Sequence, residues 1–295
     1  MGIPPLSSFT LGLIQMSCDE SPAINMEKAI DRIREAAKLG AQIVVLPELF
    51  LTHYFCKVHD LKLFDLAEEI PGPRSRVLAQ AAKESGVVVV ASLFERRTVG
   101  FCNNTSVVFD ADGTQLGIYR KMHIPHDPLY YEKYYFSPGD LGFKVFPTRF
   151  GKVGTLVCWD QWFPEGARLT ALKGAEVLVY PTAIGWHPTE KAEFGKSQHD
   201  AWETVQRGHA IANGVYVAGI NRVGFEPSDN GGIEFWGGSF VSDPFGIVLD
   251  RASHSEETIV VRECSRERME DVRRNWPFFR DRRVDAYGGI TQASE

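Results

Sequence analysis

Val87-Val88-Val89-Val90-Ala91-Ser92-Leu93-Phe94 is an almost wholly apolar run, and its reading decides the fold. β-Branched residues at this density favour a strand. The lack of polar alternation implies a sheet that is buried on both faces. A helix signal precedes it, with Pro73 at the start, a stretch to Glu84 and Gly86 at the end. The same order recurs towards the N-terminus. Residues 11–16 read as a buried strand, Ser21-Pro22 starts a helix with Ile30, Ile33 and Ala37 at helical spacing, Gly40 ends it, and residues 42–46 form the next strand.

On the other side, strands at 105–109 and 115–120 are joined by the turn Asp110-Ala111-Asp112-Gly113, so a hairpin makes the sheet mixed. Residues 122–142, rich in Pro, His, Asp and Tyr, read as a functional loop. Beyond it the sequence predicts a strand at 153–158, a helix from Pro164 to Lys173, a strand at 176–180 and a second long loop at 183–197. A helix over about 199–213, a strand at 215–221, a hairpin through Asp243-Pro244-Phe245-Gly246 and a strand at 258–263 follow. Neither repeats nor linkers interrupt the pattern, which predicts one α/β domain over residues 1–295, with a body of about 11–264 and a C-terminal helix and tail at 265–295.

Composition narrows the function. With 44% hydrophobic and 24% charged residues, this is an ordinary globular composition. The net charge of -6, with no basic block beyond a few C-terminal arginines, lacks the electrostatic footprint of a nucleic-acid binder. The first ten residues lack a basic, then apolar, leader, and no apolar stretch approaches the roughly 18 residues of a membrane helix. A cytoplasmic protein without membrane partners is expected. The five cysteines are odd in number and form no Cys-x-x-Cys pair, which argues for reduced thiols.

Three polar residues stand where core packing would not ask for them: Glu48 after Leu46-Pro47, Lys121 after Tyr119-Arg120, and Cys158 after residues 153–157. All three end predicted strands, where ligands of open α/β sheets gather. A cysteine needs help to become a thiolate near neutrality. Glu48 can be its base. Lys121 can stabilise the thiolate and then the oxyanion of a tetrahedral intermediate, assisted by the backbone N–H of Trp159. Taken singly, Cys158 could be a small core residue and Glu48–Lys121 an ordinary ion pair.

The contexts decide between these readings. Leu46-Pro47-Glu48, Tyr119-Arg120-Lys121 and Cys158-Trp159-Asp160 resemble, in order, the three motifs of the nitrilase-like carbon–nitrogen hydrolase superfamily. Glu132, in Tyr131-Glu132-Lys133-Tyr134-Tyr135-Phe136, matches the second glutamate found near the nucleophile in that superfamily. Cys158-Trp159-Asp160-Gln161-Trp162-Phe163-Pro164-Glu165, Pro181-Thr182-Ala183-Ile184-Gly185 and Phe279-Arg280-Asp281-Arg282-Arg283 further resemble the N-carbamoylputrescine amidase family.

The resemblance implies a four-layer αββα sandwich with mixed sheets and a homo-oligomer, a dimer or larger. It implies cysteine-dependent hydrolysis of a small ureido or amide substrate without metal or organic cofactor. The catalytic residues would be Glu48, Lys121, Cys158 and Glu132. Superfamily members acting on N-carbamoyl amino acids place an arginine just after the nucleophile to clamp the carboxylate. Gln161 and Trp162 stand in that stretch here, which suits an amine-ended substrate. An alkylammonium end needs acidic or aromatic partners. Asp127, Asp160 and Glu190 are candidates for charge, Tyr54 and Trp186 for ring contact, with Trp159 beside the nucleophile.

Other chemistries fit less well. His123, His126 and Asp127 match no familiar zinc spacing. A Cys158 protease with His199 or His209 would leave Glu48 and Lys121 without purpose. Gly195-Lys196-Ser197 resembles the end of a P-loop, but Glu190 occupies the place of its leading glycine.

Overall fold

The structure, a computed structural model, describes residues 7–229 and 231–293. The N-terminal part forms β1 (Ser8–Gln15), α1 (Pro22–Lys38), β2 (Ile43–Val45), α2 (Pro73–Ser85), β3 (Val88–Thr98), β4 (Phe101–Phe109) and β5 (Gln115–Arg120). A single helical turn, α3 (Glu132–Tyr135), leads to β6 (Val145–Pro147), β7 (Lys152–Thr155), α4 (Pro164–Leu172), β8 (Val177–Pro181) and β9 (Gly185–Trp186). Then come α5 (Lys191–Asn213), β10 (Tyr216–Ile220), β11 (Val223–Glu226), β12 (Ile233–Trp236), β13 (Phe240–Ser242), β14 (Val248–Arg251), β15 (Thr258–Ser265) and α6 (Arg266–Asn275).

Among the described residues the strands form two six-stranded sheets, ordered β15-β1-β2-β3-β4-β5 and β14-β13-β10-β8-β7-β6, and a small sheet β11-β12-β9. Both large sheets are mixed. In the first, β1, β2 and β3 run parallel between antiparallel neighbours; in the second, β7, β8 and β10 do the same. The apolar run of β3 shows why they stack. Val88 and Val90 point into the core between the sheets, where Leu11, Leu13 and Val45 meet Val153, Val177, Val179 and Val217. Val89 and Ala91 point the other way, onto Ile33 and Ala36 of α1 and Leu78 and Ala82 of α2. With α4 and α5 on the far face of the second sheet, this is the four-layer αββα sandwich with mixed sheets.

Three boundaries depart from expectation. The strand predicted at 153–158 stops at Thr155, and Cys158 instead opens a 3₁₀ turn over Cys158–Trp162 with φ of 44°. Leu156 and Val157 are buried in either conformation, so hydrophobicity could not separate strand from turn. α5 starts at Lys191, inside the predicted loop, because its first two turns are mostly exposed and carry no apolar stripe. β3 runs on to Thr98 and turns at Val99-Gly100 into β4, a hairpin whose polar end, Glu95 to Thr98, hid the strand.

Candidate active site

Glu48 follows β2, Lys121 follows β5 and Cys158 follows β7, so both large sheets deliver side chains to one edge of the sandwich. α3 adds Glu132. The three charged side chains are fully buried. Lys121 Nζ lies 2.8 Å from Glu48 Oε1 and 2.7 Å from Glu132 Oε2. Glu132 Oε1 accepts from the Tyr54 hydroxyl at 2.6 Å. Both Glu132 oxygens are therefore engaged, whereas Glu48 Oε2 is buried without a partner among the described residues. That difference marks Glu48 as the carboxylate with a lone pair to spare for a proton.

Burial pushes the Cys158 thiol well above its usual range; Glu48 and Glu132 add to the rise and Lys121 opposes it. Burial alone would lower the Lys121 pKa, but Glu132 and Glu48 outweigh it and hold the ammonium well above the ordinary lysine range. Burial brings Glu132 up to about 7 against the pull of Lys121, with the Glu48 charge adding to the rise. The resting cysteine is thus a thiol beside a permanent cation. Its Sγ lies 3.9 Å from the Ala183 carbonyl oxygen, and its left-handed φ is a conformation that non-glycine residues keep where surrounding structure enforces it.

Cys158 opens onto a cavity of about 760 Å³. Tyr130, Trp159, Trp162 and Trp236 form aromatic walls, and Asp127 and Glu190 bring carboxylates. Of the residues expected to hold substrate, Asp127, Trp159 and Glu190 line this cavity; the other three take different places. Asp160 is a brace: Oδ2 accepts from Tyr119 OH and Val157 N–H, and Oδ1 meets His123 N–H and Nδ1. Its acceptors are spent on the turn that begins at Cys158. Trp186 donates its indole N–H to Gly195 O and has Lys191 Nζ 4.7 Å from its ring, and it lines a separate cavity of about 430 Å³. Tyr54 lies fully buried behind Glu132.

Sequence reasoning missed Tyr130, Trp236 and Asn104, which donates to Glu48 Oε1 at 2.7 Å. It also missed Arg222, whose guanidinium donates to the Glu48, Leu49 and Thr52 carbonyls and pairs with Glu226. A buried arginine two residues past a strand gives no local signal. Gln161, next to the nucleophile motif, is buried and accepts from Thr182 Oγ1, while Trp162 reaches the cavity.

The αββα sandwich and this chemistry define a carbon–nitrogen hydrolase. The carbon-nitrogen hydrolase family model matches residues 10–274, and the chain belongs to that family. Among known proteins it is similar to the N-carbamoylputrescine amidase of Solanum lycopersicum, 43% identical over 94% of this chain and 93% of that protein. It is also similar to the citrullinase of Francisella tularensis, 41% identical over 97% of this chain and 99% of the other. The crystal structure of a carbon–nitrogen hydrolase from Helicobacter pylori G27 superposes with a TM-score of 0.94 at 45% identity, covering 98% of this chain and all of that one.

Proposed function

We propose that this chain hydrolyses N-carbamoylputrescine to putrescine, carbon dioxide and ammonia, in polyamine synthesis by way of agmatine. Cys158 is the nucleophile, Glu48 the base, Lys121 the oxyanion's cation, and Glu132 holds Lys121 and the substrate in place. The unpartnered Oε2 of buried Glu48 beside a cavity-facing cysteine carries this reading. Glu48 takes the thiol proton as Sγ attacks the ureido carbon, and the tetrahedral oxygen is held by Lys121 Nζ and Trp159 N–H. The proton passes from Glu48 to the leaving nitrogen and ammonia departs. Glu48 then takes a proton from water, which attacks the carbamoyl thioester; the thiol is regenerated and the released carbamic acid breaks down to carbon dioxide and putrescine.

The amidase relatives support the substrate, and so does the cavity wall: its described residues include Asp127 and Glu190 but no arginine or lysine. An ammonium end finds carboxylate partners there, whereas a carboxylate would meet neutral donors and His187 but no arginine clamp. The citrullinase relative favours a second reading, a ureido amino acid as substrate. A single domain assembled into a cytoplasmic homo-oligomer completes the proposal, supported by the family resemblance. Ammonia release should be fastest from N-carbamoylputrescine when compared with citrulline, N-carbamoyl-β-alanine and a simple aliphatic amide. Preference for any of the others discards the pocket assignment, and turnover retained by Cys158→Ser discards the mechanism.

A further inference from the structure

Glu48 uses its two oxygens unequally, and the cause lies on β4. Oε1 accepts from Lys121 Nζ at 2.8 Å and from Asn104 Nδ2 at 2.7 Å, while the buried Oε2 accepts from none of the described residues. Lys121 is shared with Glu132, and a carboxylate's terminal torsion is broad and two-fold, so the ammonium alone would not fix which oxygen faces the thiol. Asn104 supplies the second point of attachment.

The orientation of Asn104 is itself determined. Leu49 N–H donates to Ser92 Oγ at 3.2 Å, and the Ser92 hydroxyl donates to Asn104 Oδ1 at 2.8 Å, which turns the amide NH₂ towards Glu48. The Asn104 carbonyl also accepts the Lys121 N–H at 2.9 Å. One residue thus grips the main chain of the lysine and the side chain of the glutamate. Ser92 and Asn104 are fully buried in strands whose neighbours include Val90, Val107 and Val108. An amide there costs desolvation that only these bonds offset.

We propose that Asn104, locked by Ser92, is a positioning residue: with Lys121 it occupies Oε1 of Glu48 and makes Oε2 the atom that takes the Cys158 proton, the S–H bond breaking as the O–H bond forms. The proposal rests on Cys158 and Glu48 being nucleophile and base. Besides Lys121, Glu132 and Cys158, the titratable and charged groups around Glu48 are Tyr54, Cys56, Tyr130 and Arg222, and the test leaves all of them in place.

Asn104→Ala, Ser92→Ala and the double variant are compared with the parent for kcat, KM and the rate of Cys158 alkylation by iodoacetamide, from about pH 5 to about pH 10. Alkylation needs no turnover. Asn104→Ala removes a donor that favours the ionised carboxylate, so the acidic limb moves up by about one pH unit in both profiles. Its kcat falls roughly 10–100-fold with KM within about twofold. Ser92→Ala frees the amide to turn and moves both readouts less, in the same direction. The double variant is no worse than Asn104→Ala, because the two residues act as one chain. A kcat loss without movement of the limb, an unchanged Asn104→Ala, or additive losses would overturn the proposal. Should Asn104→Ala not fold, Ser92→Ala decides by the same criterion. Turnover by Cys158→Ala would instead remove the nucleophile reading itself, whatever Asn104→Ala does.

Discussion

At the residue scale, the division of labour between two buried carboxylates follows from where their lone pairs go. Glu132 spends both oxygens, on Tyr54 and Lys121, whereas Glu48 keeps one free. Burial brings Glu132 up to about 7, against the pull of Lys121. Glu132→Gln keeps the shape but removes the carboxyl that titrates at about 7, so a step near that pH should vanish from the kcat/KM profile, with kcat at least about tenfold lower. A step that persists near that pH in the variant would show that it belongs to another group. Glu48, Lys121, Cys158 and Glu132 were legible in the sequence because each interrupts an apolar run or sits in a specific motif. Asp160 was open to two readings, a brace for its own turn or a substrate contact, because the two look alike in a linear motif; its hydrogen bonds serve the turn.

At the element scale, the segment after β2 is held from outside itself. Arg222 lies between β10 and β11, is fully buried, and donates to three carbonyls of residues 48–52 while pairing with Glu226 at 2.8 Å. Leu49, in this segment, has φ of 46°, a conformation the clamp helps to enforce. Arg222→Met should leave those carbonyls without their donor and Glu226 held by Lys57 and the Tyr54 N–H alone, and cost about 3–5 kcal/mol, read as a lower urea midpoint with an unchanged slope. A loss under about 1 kcal/mol would mean that the segment holds its own shape. Long-range clamps of this kind are invisible to periodicity. Buried strands such as β3 were legible because both faces are apolar, while the first turns of α5 were not, since an exposed wall over a cavity needs no apolar stripe. The cavity wall was therefore the part of the site least readable in advance, and Phe194, Gln198 and Ala201 on α5 are among what was missed.

At the scale of the whole molecule, Glu48 and Lys121 follow strands of one sheet and Cys158 a strand of the other, so their register depends on the layers staying locked together. Within the first sheet, β1 and β15 pair along their full length, and Glu257, just before β15, ties that edge to the helix layer. Its carboxylate meets Lys28 at 2.8 Å and Arg32 at 3.2 Å on α1, and accepts from Ser17 N–H at 2.9 Å. Burial would raise its pKa, but the hydrogen bonds from Lys28 and Ser17 outweigh that and bring it down to about 2. A carboxyl depressed in the folded state contributes stability that is present above its unfolded pKa of about 4.3 and lost as the pH falls towards about 2. The site is partly open to solvent, at 27% side-chain exposure, so screening reduces the contribution to about 1–2 kcal/mol. Glu257→Gln should therefore unfold at lower urea than the parent at pH 7. The gap should close as both are acidified through this window, because the parent alone loses the ionised form. A gap that stays constant down to about pH 3 would mean that the carboxylate's shape and not its charge joins the helix layer to the sheet.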